Sequence, residues 1–254
     1  MNNISENDEI KPEKLNVNKS LLNIVLCGII AFVIGGLLGF YIGTKNGINT
    51  GRDVAMQYLE YMVAKPTSVD LSVMKSEPAA VYGKEDAPVK VKYFSDIQCP
   101  SCVSMFEESM SKMIGNDYYR VEFYDFPFAG HRLSRLASKY SRCAVKQDID
   151  YVTYMSKLTS SYSEWSSMLK ESNVSEYMLK TAVGLGADED LMNICVIGDS
   201  VNEAIDANIS DGLALGVKGT PAYTIGSGLI QGYVSPGTLL KIIEDSQKPV
   251  PEAD

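Results

Sequence analysis

Residues 89–102 read VKVKYFSDIQCPSC, a strand-like alternation that runs straight into a pair of cysteines. Val89, Val91 and Tyr93 alternate with Lys90, Lys92 and Phe94, the period of two expected of a strand. A helix is predicted from Cys99. Pro100 suits a first helical turn, Gly115 suits the end, and Val103, Phe106, Met110, Met113 and Ile114 form one apolar stripe. A second strand is predicted over 118–128, where Val121 and Phe123 oppose Arg120 and Glu122. Strand, helix and strand within about 40 residues make a βαβ unit, which implies parallel pairing with a right-handed crossover.

The two cysteines fall where the first strand meets its helix. Spaced i, i+3 on a first turn, their Cα atoms lie about 5–6 Å apart, within disulfide reach. The unsatisfied N–H groups and macrodipole of a helix N-terminus favour an anion there. A thiol so placed falls to a pKa of roughly 3.5–7.5 from about 8.5. Cys99 is therefore the expected attacking thiolate and Cys102 the resolving thiol, because Cys-x-x-Cys beside a βαβ unit is a redox signature. Half of a zinc site and an inert structural disulfide are the other readings. Zinc needs two further ligands, yet Cys143 and Cys195 stand alone and His131 is the chain's single histidine. No metal and no cofactor is expected.

Outward from this unit, residues 131 to about 210 have helical texture. Leu133, Leu136, Ala137, Tyr140 and Cys143 share a face, and further helices are predicted over 151–160, 175–183 and 188–197. Strand texture returns at 222–225 and 229–234, joined by Gly226-Ser227-Gly228, a hairpin signal. A last helix is predicted over 235–245. Cys143 and Cys195 both lie on apolar helix faces. Either they bridge two helices or they are buried free thiols acting as small hydrophobes.

Residues 21–43 read LLNIVLCGIIAFVIGGLLGFYIG, with no charge and Asn23 as the one strongly polar interruption. About 20 apolar residues span a bilayer core, so this stretch is predicted to be an uncleaved transmembrane anchor in contact with lipid. A cleaved signal would have a shorter apolar region and an Ala-x-Ala-like site, which is absent. A lipoprotein reading through Cys27 fails because Leu26 stands where a small residue is wanted. Ala31, Gly35, Gly39 and Gly43 recur every four residues, either as a packing seam or because glycine is common in such helices. Lys11, Lys14 and Lys19 before the span balance Lys45, Arg52 and Lys65 after it, so the charges leave orientation open. Apolar Val54, Tyr58, Leu59 and Met62 suggest a helical stalk ended by Pro66, and 65–84 reads as a linker.

In a chain of 254 residues, 45% apolar and 22% charged, the apolar content suits a packed core and excludes disorder throughout. The net charge of −9 excludes a nucleic-acid binder, which needs a basic footprint.

The run Tyr82-Gly-Lys-Glu-Asp-Ala-Pro-Val, followed by Tyr93-Phe-Ser-Asp-Ile-Gln-Cys-Pro-Ser-Cys, resembles the opening of DsbA-like proteins of the thioredoxin superfamily. Phe126-Pro-Phe with His131, and Ser141-Arg-Cys-Ala, resemble that family's helical insert. Gly216-Val-Lys-Gly-Thr-Pro-Ala-Tyr resembles its cis-proline loop. The resemblance covers roughly residues 80–247. It implies an α/β thioredoxin fold with an inserted helical domain, here preceded by a single N-terminal transmembrane helix. It also implies thiol–disulfide exchange with cysteine-containing proteins outside the cytoplasm. Carried over by position, Cys99 is the nucleophile, Cys102 the resolving thiol, and Pro221 the cis-proline facing them. Thr220 would offer backbone groups to an extended substrate, by strand addition. Pro100 and Ser101, between the cysteines, join Thr220 and Pro221 on the substrate-binding surface.

The expected organisation is a cytoplasmic tail (1–20), an anchor (21–43), a helical stalk and linker (44–79), a thioredoxin-like domain (80–128 with 213–250) and a helical insert (129–212). Two departures from the family pattern bear on function. The best-known oxidising members carry histidine inside the motif where this chain has Ser101, so a less oxidising potential is predicted. Lys90 and Lys92 are unusual for a central parallel strand, which tends to read as continuously apolar. Three other residues stay open: His131 as helix start or proton carrier, Asp96 as proton relay to Cys102 or turn cap, and Trp165 as core or groove lining.

The leading expectation is a membrane-anchored oxidoreductase that oxidises substrate cysteines and is itself reoxidised by a membrane redox partner. Disulfides persist in oxidising compartments, which places residues 44–254 outside and 1–20 inside. A reductase or isomerase using the same site is the alternative, and a tethered chaperone-like binding module is the rival from another class.

Overall fold

A computed structural model describes residues 64–248 together with 55, 56 and 59–62. The chain divides into two units, Met1–Met56 and Gln57–Asp254. The expected transmembrane span, Cys27 and the glycine face lie outside the described residues. Among the described residues no helix is long and apolar enough to cross a membrane.

The second unit is built on a six-stranded mixed sheet. Its strands are β1 (Thr67–Ser68), β2 (Ala80–Tyr82), β3 (Val89–Ser95), β4 (Tyr119–Asp125), β5 (Ala222–Ile225) and β6 (Gly228–Gln231), in the order β1-β6-β5-β3-β4-β2. Only β3 and β4 pair in parallel, with Tyr93 opposite Phe123. The crossover between them is α1 (Pro100–Met105), a π-helical turn over Phe106–Met110, and a last turn α2 (Ser111–Met113). Val89, Val91 and Tyr93 point to one face, where they are buried with Val121, Phe123, Tyr223, Met105 and Phe106. Burying each such side chain contributes about 1.5–3 kcal/mol.

The other face explains the two lysines. Phe94 is buried there with Tyr124, Phe126, Leu215 and Val217. Lower on that face Lys90 is exposed and pairs with Glu85. Lys92 stands in register with Glu122 and pairs with it, and Arg120 engages the other oxygen of the same carboxylate. These pairs outweigh the burial that would raise the Glu122 carboxyl, and hold it below its ordinary value. The strand is central, but one face of its first half is only partly covered.

Between β4 and β5 come six helices: α3 (Ser134–Val145), α4 (Tyr151–Ser160), α5 (Tyr162–Ser166), α6 (Glu171–Gly184), α7 (Glu189–Ile197) and α8 (Asp199–Ala214). Their buried residues belong to the same continuous cluster as one face of the sheet. Trp165 is fully buried, with its indole N–H on the Leu158 carbonyl, so it is core. Cys143 of α3 and Cys195 of α7 are joined by a disulfide, S–S 2.02 Å. The helix expected over 175–183 begins earlier, at Glu171. The sixteen-residue helix α8 has no counterpart of its own in the periodicity, because polar Asn208 and Asp211 are buried in it. Asn208 receives N–H groups from Asp125 and Arg142, and Arg142 also pairs with Asp125. Asp211 accepts the backbone N–H groups of Lys75 and Ser76.

The stretch 65–84, expected as a linker, carries both edge strands: β1 pairs with β6 and β2 with β4. Two and three residues are too short to show alternation. Upstream, Glu60 accepts from Ser235 N–H (2.7 Å), the Ser235 hydroxyl (2.6 Å) and the Thr238 hydroxyl (2.7 Å). These groups open α9 (Pro236–Ser246), which Ser235 caps. The β5–β6 hairpin turns at Gly226-Ser227, with Gly226 at φ +55, and β6 ends before Gly232 at φ +91 rather than running on to 234.

Candidate redox site

Cys99 is the N-cap of α1, in extended conformation at φ −80 and ψ 118, with Pro100 in the first turn. Its carbonyl accepts the N–H groups of Cys102 (3.0 Å) and Val103 (3.1 Å), which starts the helix. The cap puts the sulfur at the positive end of the helix, and Cys102, nearly one full turn on, brings the second sulfur back to the same side. Cys99 is 9% exposed and Cys102 only 2%, while Pro100 and Ser101 between them are exposed. Both thiols are free.

The two sulfurs differ sharply in acidity. The Cys102 side chain donating to Cys99 pulls the Cys99 thiol down to about 5, aided by the N–H groups of Cys102 and Ser101 and by the Thr220 side chain, against partial burial. Burial pushes the Cys102 thiol well up, and its bond to Cys99 pushes it further. At neutral pH Cys99 is a thiolate and Cys102 a thiol, the pairing that a thiol–disulfide exchange site needs.

The loop between α8 and β5 closes the site from the other side. The Thr220–Pro221 peptide bond is cis, and Cys99 Sγ lies 3.5 Å from the Thr220 carbonyl oxygen. The loop is tied to β6 by Gly232 N–H on the Pro221 carbonyl (2.7 Å) and Lys218 N–H on Gln231 Oε1 (2.8 Å). Thr220, with the cis Pro221 after it, is therefore brought beside Cys99, whereas Cys143 and Cys195 belong to the helices.

Sequence reasoning missed the clamp on the loop before Cys99. Gln98 accepts Leu133 N–H on its side chain and the Tyr162 hydroxyl on its carbonyl, both at 2.7 Å. Asp96 and His131, weighed separately in the sequence, are partners, with His131 Nδ1 2.7 Å from Asp96 Oδ2. No local pattern signals these contacts, because they join residues more than thirty positions apart. Among the described residues no cluster of three or more His, Cys, Asp or Glu side chains is placed to hold a metal ion.

A family described as Thioredoxin matches residues 75–245, about two thirds of the chain. The chain belongs to the thioredoxin family. A curated relative, "Probable disulfide bond formation protein D" of Bacillus cereus, is 36% identical over 72 residues, which cover 27% of this chain and 33% of that protein. The Bacillus anthracis protein of the same name matches equally. This thioredoxin-family chain thus spans about a third of the length of the curated relatives it matches. Among solved structures, oxidised BdbD from Bacillus subtilis superposes with a TM-score of 0.58 at 19% identity, covering 73% of this chain and 99% of that one. The thiol-disulfide exchange protein alpha-DsbA2 from Wolbachia pipientis gives 0.54 at 23% identity, covering 75% and 92%. These likenesses establish the thioredoxin fold, with its mixed sheet and helices.

Proposed function

We propose that this protein is a thiol–disulfide oxidoreductase that oxidises pairs of cysteines in other proteins. The observation that carries the reading is the split between Cys99 and Cys102: the less buried sulfur is drawn down to about 5, and the more deeply buried thiol is pushed up. A stabilised thiolate stabilises the reduced protein, which makes its disulfide the better oxidant. A substrate thiolate attacks Cys99 Sγ, a mixed disulfide forms, and Cys102 leaves. The second substrate thiolate then attacks its own partner sulfur and releases Cys99. The carbonyl of Thr220 accepts from the Cys99 thiol, and once Cys99 is a thiolate or is disulfide-bonded that carbonyl can accept an N–H of an extended substrate chain. The names of the Bacillus relatives agree with this direction.

The apolar run 21–43 supports a membrane anchor, with the catalytic unit outside the cytoplasm and a membrane partner that reoxidises it. Protease treatment of intact cells tests this placement, and protection of Cys99 would overturn it. The reaction itself is tested by the reduction potential of the Cys99–Cys102 pair, equilibrated against glutathione. A Cys99 value near 5 lies between those of thioredoxin, about 7, and DsbA, about 3.5. The expected potential lies between their values of about −270 and −120 mV, toward the latter. A potential at or below that of thioredoxin would make the protein a reductase.

A further inference from the structure

Asp96, three residues before Cys99, forms and breaks no bond in the exchange steps, yet it is the most heavily bonded side chain near the sulfurs. Its carboxylate is wholly buried. Oδ1 accepts Gln98 N–H (2.8 Å) and the Ser134 hydroxyl; Oδ2 accepts Phe128 N–H (2.9 Å) and lies 2.7 Å from His131 Nδ1. Its donors come from three places: the loop before α1, the loop after β4, and the start of α3. The peptide that carries this carboxylate turns its own N–H toward Cys102 Sγ, at 3.5 Å.

We infer that Asp96 is a positioning residue for the leaving sulfur: His131 and Ser134 hold its carboxylate so that the Asp96 N–H faces Cys102 Sγ as the disulfide breaks. The inference rests on the oxidase reading. In that reading a substrate thiolate forms a bond to Cys99 Sγ, the Cys99–Cys102 bond breaks, and its electron pair stays on Cys102 Sγ. Cys102 then takes a proton from solvent, and attack by the second substrate thiolate expels Cys99 as a thiolate. Overall the substrate dithiol loses two electrons and two protons. The protein gains both electrons and one of the protons. Exchange runs faster the better the leaving thiolate is stabilised. Cys102 is buried where water cannot stabilise it, so an N–H aimed at the sulfur acts on the step that needs it.

The test follows the reaction of the oxidised full-length chain, in detergent, with a dithiol peptide, alongside glutathione equilibrium, Cys99 titration and thermal unfolding. Asp96→Ala is expected to slow the first exchange about tenfold and to shift the glutathione equilibrium about threefold toward the protein disulfide. Cys99 should titrate much as before, since its donors lie elsewhere. His131→Ala, at a partly exposed side chain, is expected to slow the step about threefold, and His131→Asn, whose amide nitrogen replaces Nδ1, to restore it. If Asp96→Ala does not fold, the His131 pair decides. Variants that lose thermal stability but keep the wild-type rate and equilibrium would leave Asp96 a structural cap and overturn the inference. A wild-type protein that cannot oxidise the peptide would instead remove the oxidase reading, and this inference with it.

Discussion

Cys99 and Thr220 are 121 positions apart in the chain, yet the Cys99 thiol donates to the Thr220 carbonyl oxygen at 3.5 Å. When Cys99 ionises, that donation ends and the carbonyl becomes free to accept from another N–H. The same residue also acts through its side chain, which helps to stabilise the Cys99 thiolate. Thr220 thus acts on the sulfur through both its carbonyl and its side chain, and in the proposed exchange that carbonyl would also meet the substrate.

Reduced Cys99 is expected to titrate near pH 5, with Cys102 still protonated throughout the neutral range. Thr220→Val keeps the shape but removes the hydroxyl, so the Cys99 value should rise and the potential should fall. Ultraviolet thiolate absorbance across a pH series measures the first, and glutathione equilibration the second. A Cys99 midpoint unchanged in the variant would show that the hydroxyl does not reach the thiolate.

The depressed Cys99 value makes the stability of the reduced protein depend on pH. The folded-state value is about 5 and the ordinary thiol value 9.0. The contribution of the thiolate is complete above the ordinary value, declines as pH falls between the two, and is gone below about 5. The oxidised protein has no such thiol. Urea unfolding of both redox forms should therefore show the reduced form gaining on the oxidised one as pH rises through that window. A constant gap between them would contradict a thiolate at Cys99.

The Cys-x-x-Cys motif and its two flanking strands are legible in residues 89–128 because the signals are local: alternation, a helix start and the cysteine spacing. The hairpin at Gly226-Ser227 and the helix capped by Ser235 are legible for the same reason. What escapes the sequence is held by long-range polar contacts. Helix α8 breaks apolar periodicity with Asn208 and Asp211, and both residues have partners far away in the chain. Edge strands β1 and β2 are too short to show a period. Asp96 and His131 can each be singled out, but only the fold makes them a pair.

Glu60 joins the segment ahead of the sheet to the last helix. Its carboxyl is held below its ordinary value: burial alone would raise it, but bonds from Ser235 and Thr238 outweigh that effect. A carboxylate at a helix N-terminus is favourable, and a lost cap costs about 1 kcal/mol. Glu60→Ala is expected to destabilise the protein by about 1–2 kcal/mol in urea. Glu60→Gln, which keeps acceptors but no charge, should lose less. Because the folded value is depressed, the contribution of Glu60 is present above about pH 4.5 and lost as pH falls below it. Equal stability of all three proteins at neutral pH would mean the segment is not docked in solution.

Asp125 and Arg142 form a buried ion pair between the end of β4 and α3, with Asn208 of α8 bonded to both. Removing one partner leaves the other as an uncompensated buried charge, which typically costs about 3–5 kcal/mol. Arg142→Met is therefore expected to lower stability by about that amount. The double variant Arg142→Met with Asp125→Leu should recover much of the loss, because two apolar side chains replace two desolvated charges. Urea unfolding of the singles and the double closes the cycle. If the double falls by the sum of the singles, the side chains contribute independently and the pair does not hold α3 to the sheet. A double more stable than either single would place the coupling in the ion pair.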